Sequence, residues 1–284
     1  MHERPIDYRF VTVAGERLHV ADSAVPGDAG TTPVLVCNGI GASTRLLEPL
    51  LRAMPRRTIA FDLPGIGASR GSFIVRRLGG YAELAHALLD ALGIANVAVL
   101  GVSWGGGLAQ EFARRYPVRC ERLLLAATST GHVMVPPSPL VMLRMATPLR
   151  YLSAGYLRRV AGAIYGGDLR HDDRRVEEHV RRMEPPTVLG YANQLYALAG
   201  WTSLHWLHTL RQPTLVMAGV DDPIVPLANA RILARLIPNA ELEVYDCGHL
   251  FVLTRTASVV ARVERFFRTP FRAESPSESL PRPS

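Results

Sequence analysis

The strongest constraint on this chain is a series of short, continuously apolar runs set a helix's length apart. They occupy residues 34–37, 58–61, 97–101 and 123–127, and the pattern resumes at 214–218 and 241–245. A strand with one face in water alternates apolar and polar side chains, whereas a run that is apolar throughout suits a strand covered on both faces. That arrangement calls for a parallel sheet with crossover helices. The intervening segments carry helical stripes: residues 81–92 put Leu84, Leu88, Leu89 and Leu92 on one side and stop at Gly93, and residues 108–116 stop before Pro117. Residues 8–13 and 17–21 instead alternate around Gly15, which predicts an antiparallel hairpin at a sheet edge. The expected class is therefore α/β, a mostly parallel sheet of about eight strands with an antiparallel N-terminal hairpin.

The rhythm breaks after Thr128. Residues 130–205 contain Pro136, Pro137, Pro139, Pro148, Pro185 and Pro186, a Met-rich run (Met134, Met142, Met145) and an Arg-rich helical stretch over 170–183. This predicts a mostly helical cap over 130–205, inserted between two parts of one core (1–129 and 206–268) that ends in an amphipathic helix over 258–267. Residues 269–284, rich in Pro, Ser and charge, are expected to be disordered.

Charge narrows the partners. The formal net charge is +7, and all 32 residues of the Lys+Arg count are Arg. They are dispersed rather than gathered on one element, which argues against nucleic acid. Without Lys, Schiff-base chemistry, a pyridoxal-phosphate lysine and a P-loop are excluded. Cys37, Cys120 and Cys247 stand far apart and odd in number, which favours a reducing compartment. The N-terminus carries no signal-like apolar run and no segment is long enough to span a bilayer, so a cytoplasmic protein is expected.

Chemistry concentrates at Gly101-Val102-Ser103-Trp104-Gly105, which joins an apolar strand to a helix. The pentapeptide alone is a weak signal, but its context is that of a nucleophile elbow, whose tight turn leaves no room for side chains two residues either side of the serine. A serine hydroxyl is a poor nucleophile until a base takes its proton, and the base needs an orienting carboxylate. Downstream, Gly219-Val220-Asp221-Asp222-Pro223 offers two carboxylates at a strand end. Asp222 is preferred, being third after the glycine and restrained by Pro223, while Asp221 is expected to cap or face solvent. The next strand ends in Cys247-Gly248-His249, placing His249 at the same carboxyl edge. Backbone N–H groups of Ile40, in the loop Asn38-Gly39-Ile40-Gly41, and of Trp104 are the candidate oxyanion hole. Asp62 reads as a carboxylate that fixes its own loop. His205 and His208 share a helical face but lack a third ligand, so no metal is expected, and the chemistry requires no organic cofactor.

Together, Asn38-Gly39-Ile40-Gly41, Phe61-Asp62-Leu63-Pro64-Gly65, Gly101-Val102-Ser103-Trp104-Gly105-Gly106 and the two downstream loops resemble the α/β-hydrolase superfamily. Val133-Met134-Val135-Pro136, Ile164-Tyr165-Gly166-Gly167, 200–208 and Ile237-Pro238-Asn239-Ala240 extend the resemblance to the intracellular medium-chain-length poly(3-hydroxyalkanoate) depolymerases. That resemblance implies ester hydrolysis of a storage polyester by Ser103, Asp222 and His249, with a granule surface as partner and release of 3-hydroxy acids or oligomers. Met134, Val135, Leu140, Met142 and Leu143 are candidate apolar contacts to such a substrate, though core packing would explain them equally. A carboxylesterase or lipase acting on small esters, a carbon–carbon bond hydrolase, and a non-catalytic granule-binding protein remain as alternatives.

Overall fold

The computed structural model describes residues 3–28 and 30–269; all but the first residue of the tail expected to be disordered falls outside them. Eight strands form one sheet: β1 (Asp7–Val13), β2 (Glu16–Asp22), β3 (Val34–Cys37), β4 (Thr58–Phe61), β5 (Val97–Val102), β6 (Cys120–Ala126), β7 (Thr214–Gly219) and β8 (Ala240–Tyr245). Their order is β1-β2-β4-β3-β5-β6-β7-β8. β1 pairs antiparallel with β2 and β2 antiparallel with β4, while every later pairing is parallel. The expected hairpin forms the edge, closed by a turn at Ala14 and Gly15 with φ of 49° and 77°, the two-residue geometry that matches strand twist.

Eleven α-helices accompany the strands among the described residues. On the core are α1 (Thr44–Ala53), α2 (Leu78–Ala91) and α3 (Trp104–Arg115). Between β6 and β7 run α4 (Pro139–Met145), α5 (Leu149–Leu152), α6 (Ala154–Tyr165), α7 (Asp173–Arg182) and α8 (Val188–Leu198). Then come α9 (Leu227–Leu236), α10 (Phe251–Thr254) and α11 (Thr256–Arg268). Strand alternation divides the core into two layers. Val34 and Val36 of β3 face α1 and α11, while Leu35 and Cys37 face α2, α3 and α9. A third cluster joins Leu157, Val160 and Ile164 of α6 to Val176 of α7 and to Ile224 and Val225 beyond β7. The helices inserted after β6 thus pack on the loop that bears Asp222.

Two local boundaries differ from those the side-chain pattern suggests. α3 begins at Trp104 rather than Leu108, because Gly105, Gly106 and Gly107 are helical despite their low propensity. The close packing they allow outweighs that cost. The Arg-rich stretch is not one helix: a 3₁₀ turn over Gly167–Arg170 is followed by α7, whose N-cap Asp172 accepts a hydrogen bond from the Arg175 N–H.

Candidate active site

Ser103 stands between β5 and α3 with φ 54° and ψ −118°, backbone angles that a side-chain-bearing residue rarely adopts. Its surroundings hold it there. The Ser103 N–H donates to the Ala126 carbonyl at 2.8 Å, and its carbonyl accepts from the Gly106 N–H at 2.9 Å and the Thr128 hydroxyl at 2.7 Å. The flanking glycines are a steric necessity: a Cβ on Gly101 would lie 2.4 Å from the Gly105 carbonyl oxygen, and one on Gly105 2.1 Å from that of Cys37. Being at the N-terminus of α3, Ser103 also feels the positive end of the helix dipole.

Asp222 and His249 come together 27 positions apart in sequence, His249 Nδ1 lying 2.7 Å from Asp222 Oδ2. A carboxylate can only accept, so Nδ1 carries the hydrogen and Nε2 presents its lone pair. Asp222 is itself fixed, since its other oxygen accepts the N–H groups of Ile224 and Val225, each at 2.9 Å. His249 is anchored from the insertion: its N–H donates to the Tyr165 carbonyl at the end of α6, at 2.7 Å, and the Tyr165 ring stacks on the imidazole. Both residues are buried. Among the described residues no hydrogen bond joins the Ser103 hydroxyl to His249, yet both side chains line one cavity of about 50 Å³.

Asp221 has a different occupation. It accepts from the Gly167 N–H at 2.7 Å and from the Arg170 guanidinium at 2.8 and 3.1 Å, and that hydrogen-bonded arginine holds its carboxyl below the usual range. The adjacent acids therefore divide, one toward the imidazole and one toward the inserted helices.

The loop at Asn38 faces the elbow, for a Cβ on Gly39 would lie 3.6 Å from that of Ser103. Asn38 braces the loop through the Ser43 carbonyl and the Gly39 N–H, both at 2.8 Å, and Gln194 of α8 accepts the Gly41 N–H at 2.7 Å. The Ile40 and Trp104 N–H groups are engaged by no other group of the described residues, and both residues line the larger cavity at Ser103. That cavity, about 400 Å³, includes Met134 and Met142 but not Val135, Leu140 or Leu143, three side chains that are substantially exposed. Met145, His132, Leu195 and Trp201 line it instead.

Other candidates resolve into structural roles. Asp62 accepts from the Thr44 N–H at 2.6 Å and the Ala68 N–H at 3.1 Å, and its Oδ2 lies 2.9 Å from His19 Nδ1, fixing its loop. The three cysteines are free and buried, and burial pushes the Cys37 thiol up to about 12. Among the described residues no cluster of three metal-ligating side chains occurs, and no helix is long and apolar enough to cross a membrane.

Residues 32–256 match the family model described as the alpha/beta hydrolase fold. The chain is 45% identical over 266 residues to a poly(3-hydroxyalkanoate) depolymerase of Ectopseudomonas oleovorans, covering 93% of this chain and 94% of that protein. It is 31% identical to a 2-hydroxy-6-oxononadienedioate/2-hydroxy-6-oxononatrienedioate hydrolase of a Pseudomonas species, over 68% of this chain and 70% of the relative. Among solved structures, the enol-lactonase of Burkholderia xenovorans superposes with a TM-score of 0.79 at 20% identity, covering 92% of this chain and all of that one.

Proposed function

Since the chain belongs to the α/β-hydrolase family, we propose that it is a cytoplasmic serine ester hydrolase whose substrate is a medium-chain poly(3-hydroxyalkanoate), with residues 130–205 forming a cap over the site. The observation that carries the chemistry is the strained Ser103 sharing a cavity with an imidazole already oriented by Asp222. The polyester rests on the 45% identical relative, whose similarity runs through the inserted helices, and on the apolar cavity that meets Ser103.

Ser103 Oγ attacks the ester carbonyl as its proton passes to His249 Nε2, and Asp222 steadies the imidazolium. The carbonyl oxygen becomes an oxyanion facing the Ile40 and Trp104 N–H groups, each contributing about 3 kcal/mol to the transition state. Collapse breaks the bond to the leaving oxygen, which takes the proton from His249 and departs as an alcohol. Water then attacks the acyl-enzyme, giving a proton to His249. The second collapse returns that proton to Ser103 Oγ and releases the acid. Met134 and Met142, soft and adaptable, contact the alkyl side chains of the polyester.

Purified protein incubated with polymer granules and, in parallel, with a soluble aryl ester tests this reading, with Ser103→Ala as the control. The expected outcome is 3-hydroxy acids or short oligomers from granules with the wild type alone. Rapid turnover of the soluble ester with intact granules would instead identify an enzyme for small esters.

A further inference from the structure

An arginine is almost never fully buried unless an acid pairs with it, because an uncompensated charge away from water is costly. Arg150 of α5 is only 2% exposed. Nothing acidic faces it: its Nη1 donates to the Tyr191 hydroxyl at 2.8 Å and weakly to the Thr147 carbonyl at 3.4 Å. Its Nε has no partner. The guanidinium lies 4.7 Å from the Tyr151 ring centroid and 5.4 Å from that of Tyr191, so aromatic faces supply what compensation there is. The Tyr191 hydroxyl is itself spent on the Met145 carbonyl at 2.6 Å.

Arg150 lines the same small cavity as Ser103 and His249. So does His179 of α7, 6% exposed, whose Nε2 also lacks a partner. Burial, with Arg150 and Arg182 nearby, pushes His179 down to about 3, so it stands there neutral and adds a polar group without a second charge. One wall of the small cavity thus carries a fixed positive charge, while Arg150 Nε and His179 Nε2 are sealed from water without a partner. The cavity's volume, about 50 Å³, leaves room for a small polar group such as a carboxylate and not for a length of polymer.

We propose that Arg150, with His179 beside it, binds the free carboxylate at the end of a polyester chain, so that the enzyme removes 3-hydroxy acids from the carboxyl terminus one unit at a time. In a 3-acyloxy acid the carboxylate carbon lies three bonds beyond the ester oxygen that leaves the acyl carbon when Ser103 is acylated. In this arrangement the carboxylate of the leaving unit enters the small cavity, and the alkyl groups of the chain lie toward the larger apolar one. The inference rests on Ser103 as the nucleophile of an ester hydrolase.

The test compares three substrates with the full chain: a medium-chain 3-hydroxy acid dimer with its carboxylate free, the methyl ester of that dimer, and a neutral aryl ester. The wild type is expected to favour the free acid over the methyl ester by about tenfold or more in kcat/KM, as a charge-assisted hydrogen bond allows. Arg150→Met brings that ratio near one, chiefly through KM, and Arg150→Lys restores part of it. Equal use of free acid and methyl ester by the wild type overturns the proposal, whether or not the variants fold. So does an Arg150→Met loss that is the same on all three substrates, which would mark a packing role. Should the wild type leave even the aryl ester untouched, the nucleophile reading fails separately. Calorimetric binding of the monomeric 3-hydroxy acid then decides the subsite: tight in the wild type and weaker by about tenfold in Arg150→Met supports it, and equal binding refutes it.

Discussion

Two adjacent carboxylates with different partners give the sharpest residue-scale test. Asp222 orients the imidazole while Asp221 holds Arg170 and Gly167. Asp222→Asn should lower kcat on an aryl ester by about 10³–10⁴-fold, because an amide in that position favours the wrong imidazole tautomer. Asp221→Asn should stay at least about a hundredfold more active than that variant, since an exposed ion pair contributes no more than about 1 kcal/mol. Steady-state rates of the two purified variants settle it, and comparable losses in both would contradict the assignment. This pair was legible in sequence because Pro223 restrains the residue before it. Arg150 was not, being one of 32 basic residues with nothing in its neighbours to mark burial.

At the scale of elements, the elbow shows why glycine patterns in sequence carry more information than helix propensity. Gly105 faces a backbone carbonyl with no freedom to move, whereas a Cβ on Gly107 would meet the end of the Leu78 side chain at 2.9 Å. Gly105→Ala is therefore expected to destabilise the fold by about 3 kcal/mol or more, and Gly107→Ala by about 1 kcal/mol, as read from urea unfolding. Equal midpoints for the two would argue that α3 is less tightly apposed to β3 than described. The parallel strands and the helical cover on both their faces could be anticipated because covered strands leave an apolar signature, whereas the order of the strands across the sheet leaves none. The inserted helices could not be phased in the same way. With no sheet periodicity to fix them, Leu140, Met142 and Leu143 of α4 are all substantially exposed, and of the three Met142 alone also lines the cavity.

For the whole molecule, the buried His179 ties stability to pH. Its ordinary value of 6.5 in the unfolded chain falls to about 3 in the fold. Above about pH 6.5 neither state holds the proton, and the residue adds no pH dependence. As pH falls below that, the unfolded chain takes up a proton that the folded site refuses. Stability declines by up to about 1.4 kcal/mol per pH unit, levelling once the folded value is passed. The fall in Tm between pH 7 and 5.5 should accordingly be smaller in His179→Leu than in the wild type, and an unchanged slope would contradict the burial argument. Net charge and the absence of Lys constrained partners but said nothing of the site, which is assembled from residues as far apart as 103 and 249. In the proposed mechanism Ser103 is the single nucleophile. Treatment with an organophosphonate ester followed by peptide mass mapping tests this most directly. One adduct per chain on Ser103, with esterase activity lost in proportion, is the predicted result; an adduct elsewhere, or activity surviving full modification of Ser103, would contradict it.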